Sequence, residues 1–154
     1  MNRDLAGHER VTGTRAGGRF GAPMTFLAAV GFGIAAYLLG SRILGEPPAC
    51  GPVVGCETVA ASEFSTLFGV PVALIGVGFS TVLTIACARW WRSADARALY
   101  AAYGLGLASI FAVAYLTYLE VFVIEAICIW CVAYAVSIVA GWAVTATAAF
   151  RGSE

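Results

Sequence analysis

Cys128-Ile129-Trp130-Cys131 stands at the head of the apolar run Ala126 to Phe150, and this stretch decides what kind of fold the chain has. Two thiols three positions apart at the start of a helix can close into a small disulfide. The positive end of the helix favours a thiolate, so one of the pair is expected to ionise more readily than a free cysteine. That describes a redox couple better than a structural staple. The run behind it is long enough, at 1.5 Å per residue, to cross roughly 30 Å of hydrocarbon.

Composition extends this reading to the whole chain. Of 154 residues, 60% are apolar and only 12% charged, which is outside the range of a soluble globule and typical of a membrane protein. The formal net charge is zero, so there is no excess positive field to attract nucleic acid.

Three further spans precede the fourth. Residues Met1 to Gly21 are polar and read as a mobile tail, within a cytoplasmic segment 1–22; its lone His8 has no partner residue nearby and reads as a solvated surface histidine. Pro23 to Leu44 is the first span. A signal peptide is the competing reading, but the apolar run exceeds the usual core of roughly 7 to 15 residues and no clear A-x-A site follows, so a retained helix is expected. Val70 to Trp91 is the second span and Leu99 to Ile124 the third, so 23–150 forms a four-helix transmembrane bundle with a short tail, 151–154. Glycine pairs at Gly31/Gly33, Gly76/Gly78 and Gly104/Gly106 suit close helix packing in lipid.

Gly45 to Gly69 is the longest polar connection and carries a second cysteine pair, Cys50 and Cys56. Its first half is broken by prolines and glycines and reads as a flexible loop. In its second half Ala60, Phe64, Leu67 and Phe68 recur at i, i+4, i+7 and i+8, which predicts a short amphipathic capping helix with Ser62 inside it.

Arginine placement sets the expected orientation. Arg3, Arg10, Arg15 and Arg19 lie before span one, Arg89, Arg92 and Arg97 between spans two and three, Arg151 after span four, and Arg42 alone on the other side. By the positive-inside rule both termini are cytoplasmic, in an inner or plasma membrane. All four paired cysteines then fall on the external, oxidising face, where an exposed pair can exchange with a soluble protein while a pair at membrane depth reaches a lipid-soluble oxidant. Cys87 falls near the opposite end and reads as a small buried residue. Glu57, Glu63, Glu120 and Glu125 read as solvated interfacial carboxylates, and none is singled out as a proton source.

From Pro23 to Ala148 the chain resembles the bacterial homologues of vitamin K epoxide reductase. The resemblance rests on the order of Cys50 and Cys56 in the first external loop, Ser62 six residues on, Phe68-Gly69-Val70-Pro71 leading into span two, and Cys128-x-x-Cys131 opening span four. It implies an all-α four-transmembrane-helix bundle around a quinone, menaquinone or ubiquinone, and a quinone reductase and protein-disulfide oxidoreductase activity with no metal. It further implies that Cys50 exchanges with a thioredoxin-like (DsbA-like) protein acting in trans, that Cys56 passes electrons to Cys128, and that Cys131 reduces the quinone. Cys131, Ser62, Tyr134 and Phe68 would border that quinone, Ser62 by donating to a carbonyl oxygen that becomes negative. Tyr134 is one turn below Cys131 and serves equally well as a packing residue. A pocket inside one bundle needs no second copy, so a monomer is expected.

Three other readings remain open on residues alone. The DsbB family performs the same chemistry, but there the C-x-x-C lies in the first external loop, the reverse of the order here. Two close-spaced thiolate pairs suit a metal-binding or transport protein, although no His or Cys path continues through the spans. Two inert disulfides in a scaffold form the third, for which a helical C-x-x-C is poor geometry.

Overall fold

The computed structural model describes residues 2–51 and 55–151, with side chains from residue 19 onward. It is an antiparallel bundle of four long helices: α1 (Asn2–Leu44), α3 (Val72–Ser93), α4 (Ala96–Phe122) and α5 (Ile129–Arg151). A short α2 (Cys56–Ala61), a 3-10 turn (Glu63–Ser65) and a hairpin of β1 (Thr66–Leu67) with β2 (Val70–Pro71) lie in the connection between α1 and α3. Four helical segments, starting at Arg19, Val72, Ala96 and Ile129, are long and apolar enough to cross a membrane. The chain is a multi-pass membrane protein.

Around the bundle α1 packs on α3 and α5, and α4 packs on the same two helices. The interior is built from small residues with a few large ones: Ala28, Ala35, Ala86, Ala102 and Ala148 beside Met24, Leu83 and Trp90. Small side chains let backbones approach, and dispersion then replaces the hydrophobic drive that lipid does not supply. Phe26, Phe111 and Phe122 lie on the outside, as a surface facing hydrocarbon requires. One glycine of each pair faces a neighbour: Gly31 meets Ser137 and Tyr134, Gly76 meets Ala35 and Tyr134, and Gly106 meets Trp142. Gly33, Gly78 and Gly104 face open space, because positions two apart on a helix point to opposite sides.

Two sequence-based expectations are corrected. The segment before span one is helical, not a loose tail: α1 runs unbroken from Asn2 through Pro23. Extending an existing helix adds one hydrogen bond per residue without the cost of a new nucleus, which outweighs the scattered glycines. The His8 side chain lies outside the described residues.

The predicted capping helix over Ala60 to Phe68 does not form as one element. α2 starts earlier, at Cys56, and stops at Ser62, whose backbone is extended (φ −68°, ψ 151°). Ser62 closes the helix end by donating from both its N–H and its hydroxyl to the Val59 carbonyl, at 3.3 and 2.7 Å. Farther on, Phe68 and Gly69 both have positive φ, 52° and 81°, the signature of a two-residue hairpin turn that suits glycine at its second position. Turn chemistry thus overrides an apolar spacing that a helix would also satisfy.

Candidate functional site

All four paired cysteines lie at the one end of the bundle where α1 and α4 finish and α3 and α5 begin. Cys128 immediately precedes α5, and its carbonyl accepts the Val132 N–H at 3.1 Å, so it occupies the capping position with Cys131 in the first turn. Its thiol is brought down from 9.0 to about 7. The Cys131 side-chain hydrogen bond is the largest cause, and the Cys131 and Trp130 backbone N–H groups add to it as they would for any capping anion. Burial and the charge of Glu120 work in the other direction.

Cys50 and Cys56 form a disulfide, with Cα atoms 6.1 Å apart. Cys56 opens α2 and is 1% exposed, Cys128 is 2% exposed, and Cys50 is half-buried. Of these three sulfurs, Cys50 is therefore the one a protein in solution reaches most readily. Cys128 and Cys131 are free thiols.

What joins the pairs is a close approach of main chain. A Cβ on Gly55 would clash with the Ile127 carbonyl oxygen and stand 2.9 Å from the Ile127 nitrogen and carbonyl carbon. Gly55 and Ile127 are the residues before Cys56 and Cys128, so the crossing lies one residue from each of the two buried cysteines. The other end of the loop is held as well. Ala49, next to Cys50, donates its N–H to the Tyr37 hydroxyl at 2.9 Å and accepts the Trp130 indole N–H at its carbonyl at 2.8 Å. The Tyr37 and Trp130 rings stand 4.7 Å apart. A loop expected from its glycines and prolines to be flexible is anchored at both ends; residues 52–54 lie outside the described residues.

Glu120 overturns the expectation of a solvated carboxylate. It is 5% exposed, accepts the Cys128 N–H at 3.4 Å, and hydrogen-bonds the Cys131 side chain. The inward stripe of α4 runs through Gly106, Ser109 and Val113, and Glu120 continues it seven residues on, so the periodicity contained the signal. Glu57, Glu63 and Glu125 are exposed as expected.

The remaining sequence-predicted residues are spread out. Ser62 lines an open cavity of about 320 Å³ with Thr58, Ala61, Glu63, Phe64, Val123 and Ile124. Tyr134 shares a 3.1 Å hydrogen bond with Ser80 of α3 and packs against Gly31 and Gly76, one turn below Cys131. Cys131 and Tyr134 do not line the Ser62 cavity. Phe68 is 99% exposed at the hairpin tip and joins none of them. Arg42, unremarkable in sequence except for its side, donates to Ser65 Oγ at 2.8 Å and to the Ala60 carbonyl at 3.5 Å, tying the capping segment to α1. Cys87 is buried beside Met24 and Ala102, toward the other end of α3.

A sequence model of the vitamin K epoxide reductase family matches residues 22–146. The chain belongs to the vitamin K epoxide reductase family. No curated protein matches it. Family membership, with the paired cysteines at one end of four spanning helices, makes it a membrane thiol oxidoreductase. Vitamin K epoxide reductase family members generally use quinone as electron carrier. The residues present fit such a ring by class. The Ser62 cavity has the volume of a small-ligand site, with Ala61, Phe64, Val123 and Ile124 beside the polar Thr58, Ser62 and Glu63; separately, the row Cys131, Tyr134, Ser80 brings hydroxyl donors below the C-x-x-C. The bundle core does not: the space among Met24, Cys87 and Trp142 is about 10 Å³, room for one water. Among the described residues no group of three or more His, Cys, Asp and Glu is arranged to hold a metal ion.

Proposed function

We propose that this protein is a quinone-linked oxidant of protein thiols, which reoxidises a thioredoxin-like (DsbA-like) protein outside the cytoplasmic membrane. The observation that supports the reading is the crossing of Gly55 and Ile127, the residues that precede Cys56 and Cys128. The Arg distribution supports an orientation with both termini cytoplasmic and the cysteine end outside.

In this reading a thiolate of the partner attacks Cys50 Sγ, Cys56 leaves as thiolate, and the partner's second thiol closes its own disulfide. Cys56 then attacks Cys128 of the second disulfide and Cys131 leaves; Cys50 attacks Cys56 and frees Cys128. Each step exchanges one S–S bond for another, so two electrons move inward with no net loss. The low-lying Cys128 thiol suits its part as leaving group. Cys131, one turn above the Tyr134 hydroxyl, then passes the electron pair on. A bound quinone supplies the oxidising equivalent and is released as hydroquinone. Ser62 contributes its hydroxyl to the wall of the cavity under α2 and, turned from Val59, would have a donor free for a quinone carbonyl oxygen brought within its reach.

The test is quinone reduction by purified protein in detergent with dithiothreitol as donor. Wild type is expected to turn over and Cys131→Ala to lose activity. Reduction that persists with both pairs replaced by Ala, or no reduction by wild type with menaquinone and ubiquinone analogues, overturns the proposal.

A further inference from the structure

Closing the Cys128–Cys131 dithiol releases two protons along with two electrons. The Cys128 thiol, at the capping position of α5, has the Cys131 side chain and the Trp130 and Cys131 N–H groups to hold its sulfur as a thiolate. The Cys131 proton has a different surrounding. Its S–H lies between two acceptors, Cys128 Sγ and the Glu120 carboxyl, and one proton cannot serve both at once. Glu120 is buried, and among the described residues no cation pairs with it. Among the described residues the groups that bond its carboxyl are the Cys131 side chain and the Cys128 N–H, and the Cys128 thiol is the other titratable group that feels its charge. A lone carboxylate is costly to bury, so fixing one on the sulfurs has a use only if it exchanges a proton with them.

We propose that Glu120 is the proton acceptor and donor for Cys131. On closure Cys131 gives its S–H proton to a Glu120 carboxyl oxygen, one S–S bond forms between Cys131 and Cys128, and the electron pair leaves to the oxidant. On opening, the incoming Cys56 thiolate bonds to Cys128, the S–S bond breaks, and Cys131 leaves as a thiolate that takes the proton back from Glu120. The inference rests on a redox-active C-x-x-C within the function proposed above, and its test uses neither quinone nor partner.

The full chain, reduced and desalted in detergent, is mixed with diamide, whose N=N bond accepts the two electrons and two protons. Closure of each pair is read by alkylation and peptide mass spectrometry between pH 5.5 and 9. Cys128–Cys131 closure in Glu120→Gln is expected to be about 100-fold slower than in wild type at neutral pH, recovering as the pH rises. Cys50–Cys56 closure in the same sample should be unchanged, which separates lost proton transfer from lost fold. Glu120→Ala is expected to be as slow and to be accelerated by formate, a small carboxylate that enters the vacated space. Closure of Glu120→Gln within about threefold of wild type with the same pH profile overturns the proposal, as does a Glu120→Ala that formate leaves slow. If wild type fails to reduce quinone yet Glu120→Gln still slows diamide closure, the quinone reading falls and the Glu120 assignment stands.

Discussion

Gly55 and Ile127 cross main chain to main chain, so that a single added carbon on Gly55 would clash with the Ile127 carbonyl oxygen. Gly55 has a negative φ of −151° with ψ −24°, so no left-handed turn calls for glycine here; the close approach of Ile127 does. The crossing lies one residue before each buried cysteine.

Gly55→Ala must push the crossing apart. Overpacking of this kind costs typically 1–3 kcal/mol, about, and the melting temperature in detergent is expected to fall accordingly. Transfer from the loop pair to the C-x-x-C is expected to slow more than tenfold, roughly the effect of a misplacement of an ångström or less. Acid-quench trapping of Cys128 and Cys131 after addition of dithiothreitol reads the transfer, and Cys50–Cys56 reduction in the same samples should keep its wild-type rate.

Tyr37 and Trp130 grip the two backbone polar groups of Ala49. Removing either hydrogen bond, by Tyr37→Phe or Trp130→Phe, is expected to cost about 1 kcal/mol locally. Amide exchange at Ala49 and Cys50 should quicken by about fivefold to tenfold. Because both bonds hold one residue, the double variant should deviate from additivity by about 0.5 kcal/mol or more.

The thiol of Cys128, brought to about 7 chiefly by Cys131, sets the pH profile of alkylation. The thiolate is the nucleophile, so the rate should rise through pH 7 and level off above it. In Cys131→Ala the midpoint is expected to move up. The sign for stability follows from the same shift. A thiol whose folded value lies below its unfolded value contributes stability above the unfolded value, and loses it as the pH falls through about 7. Chemical denaturation of reduced protein between pH 6 and 9.5 checks this against Cys128→Ala, whose stability should lack that rise.

Arg42 ties the capping segment to α1 through Ser65 and Ala60, in an exposed setting. Arg42→Ala is expected to cost under about 1 kcal/mol of global stability. Amide exchange over residues 60–65 should rise, and in the dithiothreitol assay KM for quinone should rise with kcat nearly unchanged. An unaltered exchange pattern would show that the capping segment is held by other contacts.

Much of the fold was legible because its signals are local. Apolar length predicts four spans, and all four are present within about two residues at most ends. The Cys128-x-x-Cys131 pair opens the last of them as the sequence indicates. The misses have particular causes. Residues 60–68 carry an apolar spacing that fits a helix, yet Ser62 closes one helix and Phe68-Gly69 turns a hairpin. Glu120, charged and near a helix end, reads as interfacial, although its seven-residue step from Val113 aligns it with the buried stripe of α4.

From its sequence alone this protein is determined to be a four-span membrane bundle with two cysteine pairs in one order, because burial in lipid, helix periodicity and residue spacing act along the chain. Only the tertiary structure decided that Gly55 crosses Ile127, that Tyr37 and Trp130 hold Ala49, and that Glu120 turns inward onto Cys131. Those contacts join residues from different helices and loops, and no local preference encodes them: they exist only once packing has brought the segments within an ångström or so of their final distance.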